Sequence, residues 1–171
     1  MTISSAVSRI AVTGAGDAFH ARLRGRFGLT PAGAAGAPQA SLAYCGREFR
    51  VYPSMSVGEA GRFYAALNDR WSAAAFRDEL RRTGLGDAFE VRRMKRAFQR
   101  ALVLAIAMAT EPAVLVVEGA EEFDEPAAAA LLERSVLGVP RALVTYVSDA
   151  PPSGEMFTQT QEATGFDVTW A

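Results

Sequence analysis

The chain has 171 residues, half of them hydrophobic, and a formal net charge of −1 at pH 7. This length suits one domain with a single core, and the near-neutral charge gives no overall reason to expect nucleic acid or an anionic membrane as a partner. The N-terminus lacks the features of a signal peptide and the longest apolar region, 101–117, is interrupted by polar residues and a proline, so we expect a cytoplasmic protein without a membrane span.

Apolar runs of strand length alternate along the chain with longer segments of helical period. Strands are predicted at 6–13, 40–45, 113–118, 141–147 and 167–170. Helices are predicted at 18–27, 57–67, 73–83, 94–109 and 126–136, and a Gly/Pro/Ala-rich loop at 30–39. This alternation predicts an α/β domain with a largely parallel sheet. The run Val114-Leu115-Val116-Val117 is typical of a central strand, because buried parallel strands are apolar on both faces.

A glycine turn, Gly14-Ala15-Gly16, joins the first predicted strand to the first predicted helix. A phosphate-binding loop occupies such a position, because backbone N–H groups and the helix dipole there attract an anion. Asp17 follows the turn, however, and its carboxylate would repel that anion. The turn is therefore either unrelated to nucleotide binding or a nucleotide site that has lost its chemistry.

Metal and disulfide chemistry have little support in the composition. Cys45 is the one cysteine, which excludes an internal disulfide, and His20 is the one histidine. With no Cys/His cluster around them, a zinc site is not expected. We interpret His20 as an ordinary helix side chain, and we expect no metal site.

The segment 51–124 carries a resemblance to a known family. It runs VYPSMSVGEAGRFYAALNDRWSAAAFRDELRRTGLGDAFEVRRMKRAFQRALVLAIAMATEPAVLVVEGAEEFD and resembles the helical subdomain, signature region and Walker B strand of an ATP-binding cassette (ABC) ATPase. Pro53, Ser56, Val57 and Glu59 match the segment that opens the helical subdomain, and the resemblance extends from about residue 10 to about residue 149. It implies a three-layer P-loop NTPase-like core with a mostly parallel sheet and a small helical insert. We expect one domain, 1–171, with a helical subdomain at about 56–98.

The resemblance also implies that most catalytic groups of the family are absent here. Asp17 stands for the phosphate-loop lysine, Ala18 for the magnesium-binding hydroxyl and Arg47 for the glutamine that senses the γ-phosphate. Gly119 replaces the glutamate that polarises the attacking water, and Val147 the switch histidine. The glycines of the family's signature are replaced at 94–98. The residues that could still bind a nucleotide are Gly14, Gly16 and Glu118. Of these, Glu118 stands in place of the metal-binding aspartate.

Two hypotheses follow from these losses. In the first, the chain is a non-catalytic ABC ATPase-like protein that binds no cofactor and acts as a binding, scaffold or regulatory subunit of a transporter system. Its partner would be another ABC ATPase subunit, a membrane permease or a second copy of the chain, with nucleic acid unfavoured, and a permease would hold it at the membrane. In the second, it is a weak nucleotide-binding NTPase whose missing groups, with ATP and magnesium, are completed by a partner chain.

Two groups of residues are candidates for a partner surface. Phe63, Tyr64 and Trp71 belong to the helical insert that docks the permease in this family, and they are also simple candidates for its core. A basic cluster is either a solvated face or a docking surface for an acidic partner. Its members are Arg92, Arg93, Lys95, Arg96 and Arg100.

An acidic segment follows the predicted strand 113–118. It contains Glu118, Glu121, Glu122, Asp124 and Glu125, which could be imagined as a metal site or as paired carboxylates for acid/base catalysis. We interpret it instead as an ordinary acidic loop, with Asp124 or Glu125 capping the helix that begins at Pro126.

Overall fold

The computed structural model describes residues 2–3, 8–27, 42–48, 50–147, 156–163 and 169–170. The strands are β1 Thr2–Ile3, β2 Ser8–Thr13, β3 Leu42–Cys45, β4 Val114–Val117, β5 Arg141–Thr145, β6 Gln159–Glu162 and β7 Thr169–Trp170. The α-helices are α1 Asp17–Phe27, α2 Val57–Ala66, α3 Ala73–Thr83, α4 Arg96–Met108 and α5 Pro126–Gly138, with short 3-10 helices at Val91–Arg93 and Ala120–Glu122. The loop predicted at 30–39 lies outside the described residues.

Five strands form one sheet in the order β3-β4-β5-β2-β6, and every neighbouring pair in it is parallel. Val12 in β2 lies beside Thr145 in β5, and Cys45 in β3 lies beside Val117 in β4. The carboxyl ends of these strands therefore meet at one edge of the sheet. The predicted α/β class with a parallel sheet is confirmed.

The short strand β1 and the edge strand β6 show where the sequence pattern is weak, whereas β7 lies within the strand predicted at 167–170. The segment Gln159–Glu162, with the sequence QTQE, has no apolar alternation, yet its backbone pairs with Ile10 to Thr13 of β2. β1 has two residues and pairs with β7 over that length. Backbone pairing defines these strands, and hydrophobic periodicity does not report backbone pairing.

Helices cover both faces of the sheet, which gives three layers. Successive side chains of a strand point to opposite faces. Val116 of β4 accordingly packs in one core with Phe19 and Leu23 of α1. Its neighbours Leu115 and Val117 pack in the other core, with helices α2 to α5. The apolar run predicted as a central strand is buried on both faces for this reason.

Capping residues set the ends of α2 and α3, the first two of the α-helices between β3 and β4. Ser56 caps α2, because its Oγ accepts from Glu59 N while Glu59 Oε2 accepts from Ser56 N. Ser72 caps α3, and Gly84 ends that helix in the left-handed conformation at φ 73°. None of the helices in the described ranges is long and apolar enough to cross a membrane. The domain limits 1–171 and 56–98 stay predictions.

Close packing of α2 on α3 depends on Gly61. A Cβ at this position would lie 3.1 Å from Cζ and 3.2 Å from Cδ1 of Phe76, whose ring is buried. We expect Gly61→Ala to lower the free energy of unfolding by about 1–3 kcal/mol in chemical denaturation, because the ring must move within a packed core. Gly25→Ala is the matched control, since Gly25 lies in α1 with open space around it. It should stabilise the protein by up to about 1 kcal/mol through helix propensity, and equal effects of the two changes would contradict the prediction.

Candidate functional site

The carboxyl ends of the sheet strands and the start of α1 border a cleft of about 350 Å³. Open parallel sheets usually place ligands at this edge. Among the described residues, four acidic and four basic side chains line the cleft, together with His20, and the formal charges of these residues balance. The lining residues are Asp17, His20, Arg24, Arg47, Glu48, Arg50, Arg96, Glu118 and Glu122.

Glu118 follows β4 and is fully buried. Its Oε2 lies 3.4 Å from Arg24 Nη1 and accepts from the backbone N of Arg47 at 3.2 Å. Tyr44 borders this pair: a hydrogen bond to Tyr44 raises the pKa of Arg24, and the Glu118 carboxylate raises it further. Burial raises the pKa of Tyr44 itself. Glu118 is therefore held by cations and donors of its own chain.

Glu122, in the short helix after β4, contacts three arginines. Its Oε2 accepts from Arg96 Nη2 at 2.8 Å and lies 3.2 Å from Arg100 Nε. Its Oε1 lies 3.5 Å from Arg47 Nε. The acidic segment after β4 is thus divided, because Glu118 and Glu122 face inward while Glu121 and Asp124 are exposed.

Arg100 corrects the prediction of an exposed basic cluster. Its side chain is fully buried in α4, and its guanidinium donates to the carbonyl oxygens of Gly46, Cys45 and Glu118. Arg96 is also turned inward and donates to Arg47 O at 2.7 Å. A helix that packs along a sheet presents alternate faces to core and solvent, so neighbouring arginines in the sequence separate in space.

The predicted helix cap before Pro126 is also corrected. Glu125 occupies the N-cap position of α5, but its side chain makes no capping hydrogen bond. Its Oε1 instead accepts from Lys95 Nζ at 2.6 Å. The long glutamate side chain reaches across to α4, whereas Asp, Asn, Ser and Thr are the side chains short enough to cap well.

His20 lies on α1, as predicted, but it belongs to the cleft rather than to an ordinary helix surface. Its ring is buried, and Nε2 lies 2.9 Å from Thr145 Oγ1, which also accepts from Gly119 N at 3.2 Å. Burial lowers the pKa of His20, although neighbouring Glu118 opposes the shift. The spacing of Asp17, His20 and Arg24 puts these side chains on one helix face. This spacing is the local signal in the sequence that could have located the cleft, and no prediction was based on it.

The glycine turn between β2 and α1 is short and internally bonded. Gly14 has φ 66°, Ala15 N donates to Tyr146 O at 2.9 Å and Gly16 N donates to Gly14 O at 3.1 Å. Asp17 and Ala18, both exposed, then begin α1. Two of the N–H groups of the turn are therefore already used within the protein.

Gly119 lies against the side chain of Arg47. It has φ 65°, and a Cβ there would lie 2.6 Å from Cγ and 2.7 Å from Cδ of Arg47. The stem of Arg47 thus fills the space where a side chain at position 119 would begin. Val147, beyond β5, is exposed, and its backbone N donates to Glu121 Oε2 at 3.3 Å.

The predicted partner residues separate into surface and interior positions. Tyr64 and Trp71 are half-buried against the core, whereas Phe63 remains exposed and contacts Tyr52 edge-on at 5.9 Å. Arg92 N donates to Pro53 O, which brings the exposed Arg92 and Arg93 next to Tyr52. We call the exposed residues Tyr52, Phe63, Leu67, Arg92 and Arg93 the aromatic–basic surface.

Solved structures with the same arrangement are ATP-binding proteins of transporters. One is described as a cobalt transport ATP-binding protein (cbiO-2), with a TM-score of 0.60 and 17% identity over 81% of this chain and 58% of that one. This is the fold of the ATP-binding subunits of ABC transporters. No protein-family model matches the chain, and no curated protein matches it.

Two further structures with the ABC ATPase fold are similar at the same level. An ATP-binding subunit of an ABC transporter has a TM-score of 0.59 and 17% identity over 84% of this chain and 70% of that one. The cbiO1 protein from Clostridium perfringens, part of the ABC transporter complex cbiONQ, has a TM-score of 0.54 and 13% identity over 81% and 66%. The resemblance found in the sequence is confirmed for the fold, and the roles of single residues stay predictions.

Arg100 should be a principal stabilising residue of this ABC ATPase-like fold. We expect Arg100→Ala to lower the free energy of unfolding by about 3–5 kcal/mol, because it leaves Glu122 with fewer partners and several buried carbonyl oxygens without donors. The control is Arg81→Ala, since the Arg81–Asp78 pair is largely exposed and such pairs contribute less than about 1 kcal/mol. Urea denaturation measures both, and equal losses would refute the prediction.

Proposed function

We propose that the chain is a non-catalytic ABC ATPase-like subunit, which binds other transporter components and neither hydrolyses ATP nor binds it tightly. The observation that carries this proposal is the charge balance of the cleft. The buried carboxylate of Glu118 and the partly buried carboxylate of Glu122 are paired with arginines of the same chain. A magnesium–nucleotide complex would have to displace these arginines to bind both carboxylates.

The glycine turn gives independent support. A phosphate loop has four residues between its first glycine and the glycine before its lysine, so that several N–H groups surround the phosphates. Here Gly16 precedes Asp17, and the position of the first glycine is Ala11, which still belongs to β2. The turn is therefore shorter than a phosphate loop, and the N–H groups of Ala15 and Gly16 donate within the protein. Asp17 adds a negative charge at the point of closest approach. The residues present do not fit ATP with magnesium, so we derive no catalytic step through them.

The surroundings of Gly119 support the proposal that the chain lacks catalysis, in addition to tight ATP binding. A carboxylate that polarises water would have to start from a Cβ at this position, where the stem of Arg47 lies. The positive φ of Gly119 is a second obstacle, because residues other than glycine rarely adopt it. Phosphoryl transfer depends on such placed groups, each worth about 2.7–4 kcal/mol, so the loss of several removes turnover.

Calorimetry and a phosphate-release assay test this proposal on the purified protein. We expect no saturable heat at millimolar ATP with magnesium and no ATPase above background, because the cleft is already neutralised. Asp17→Lys alone should restore neither, since the water-polarising carboxylate and the magnesium hydroxyl would still be missing. An active ABC ATPase subunit serves as the positive control.

Saturable turnover of the isolated chain that Glu118→Gln abolishes would overturn the proposal. Turnover that appears after addition of another ABC ATPase subunit, and is again lost with Glu118→Gln, would favour the partner-completed NTPase instead.

The aromatic–basic surface is the best candidate for the contact with a transporter partner. Protein interfaces are enriched in exposed aromatic side chains and arginines, and this surface places both side by side. It includes Phe63, Arg92 and Arg93, which the sequence predicted, and adds Tyr52 and Leu67. We propose that a permease or a second ABC ATPase subunit docks there with an acidic, partly apolar segment, and that a permease partner would hold the chain at the membrane.

Charge reversal on this surface should weaken capture of the partner without harming the fold. We expect Arg92→Glu with Arg93→Glu to reduce recovery of a permease or ABC ATPase subunit from native membrane extracts, identified by mass spectrometry. Both arginines are exposed and share Glu90, so the melting temperature should change little. Arg96 is left intact because it faces the cleft.

The matched control reverses two consecutive exposed arginines of α3, Arg81→Glu with Arg82→Glu. Undiminished capture by the Arg92/Arg93 variant, or an equal loss with the control, would exclude this surface.

A further inference from the structure

A cation of α1, Arg24, reaches the buried carboxylate of Glu118 below the cleft. Arg24 lies two helical turns after Asp17, on the same face as His20, and its Nη1 lies 3.4 Å from Glu118 Oε2. Glu118 has no exposed surface, whereas the Arg24 side chain is 19% exposed. A buried carboxylate requires a cation or hydrogen-bond donors, and the cation here approaches from the open side.

Arg24 differs in this respect from Arg100, the other arginine next to Glu118. Arg100 has no exposed surface and its guanidinium donates to backbone carbonyl oxygens, so it joins parts of the fold. Arg24 lines the cleft. A cation that entered the cleft would therefore compete with Arg24 and not with Arg100.

We propose that Arg24 is a built-in substitute for a bound cation, so that the cleft is a self-occupied cation site. Its guanidinium neutralises Glu118 from the cleft side through Oε2, while the buried Oε1 has no hydrogen-bond partner among the described residues. The site then needs neither metal nor nucleotide to neutralise the carboxylate between the ends of β3 and β4. A ligand that could replace the Arg24 side chain there would carry a guanidinium or ammonium group. This inference rests on the proposed function, because it assumes that no metal–nucleotide complex normally fills the cleft.

Chemical rescue with guanidinium ion tests the proposal. Arg24→Ala should lower the melting temperature by about 5–10 °C, because it leaves a buried carboxylate short of its cation. Guanidinium chloride, far below denaturing concentrations and compared with sodium chloride at equal ionic strength, should then raise the melting temperature of this variant. The same salt should lower the melting temperatures of the wild type and of the exposed-pair control Arg81→Ala slightly, or leave them unchanged.

A second variant shows whether Glu118 is the group that binds the added ion. In Arg24→Ala with Glu118→Gln the carboxylate charge is gone, so guanidinium should give no rescue. A melting temperature of Arg24→Ala that falls with guanidinium as in the wild type would overturn the proposal, as would equal rescue in the double variant. If Arg24→Ala does not fold, Arg24→Gln replaces it, because glutamine keeps part of the side-chain stem without the charge, and guanidinium should again stabilise this variant relative to sodium chloride.

The outcome is separable from that of the proposed function. If calorimetry detects ATP binding by the wild type, the proposed non-catalytic function is overturned, whatever the effect of guanidinium on the melting temperature. If guanidinium does not raise the melting temperature of Arg24→Ala and calorimetry detects no ATP binding, the non-catalytic function stands and only the self-occupied cation site is refuted.

Discussion

The buried guanidinium of Arg100 is the interaction on which the functional edge of this protein depends. It reaches from α4 to the carbonyl oxygens that end β3 and follow β4, and it lies beside the Glu122 carboxylate. Parallel strands that end at an open edge leave backbone acceptors exposed to the cleft, and these acceptors require donors. Arg100 supplies several of them from one rigid fork, while its plane also lies 5.2 Å from the ring of Phe123. The loop after β3 and the short helix after β4 are thereby tied to α4.

The remaining charges of the cleft follow from that arrangement. Once Arg100 and Arg96 face Glu122, the Arg47 stem can lie over Gly119 and its backbone N can donate to Glu118. Arg24 then completes the shell around Glu118 from α1. In an ABC ATPase fold, this edge is where phosphates and a metal would bring opposing charges together. Here the chain provides both signs itself, and this is the physical basis of the proposal that it is a non-catalytic subunit.

The same segment connects the cleft to the aromatic–basic surface. Arg47 and Arg50 line the cleft, and Tyr52 follows two residues later on the surface beside Phe63. Arg50 donates to Arg47 O, and Arg92 N donates to Pro53 O, so a short stretch of backbone is held from both sides. The exposed residues of this surface lie in and beside the helical insert, so they do not depend on whether the cleft binds a nucleotide.

The sequence by itself determined the α/β class, the parallel sheet and the positions of most helices and main strands, because hydrophobic period and capping residues are local signals. Ser56 with Glu59 and the run Val114–Val117 are examples. It also predicted, through the family resemblance, that Asp17 and Gly119 stand where catalytic groups are needed. Tertiary structure alone decided which charges meet: it separated Arg100 from Arg92 and brought His20 to Thr145 across 125 positions of sequence. Local patterns carry no information on such pairings, because the energy of a buried charge depends on partners that only the folded chain brings within hydrogen-bond distance.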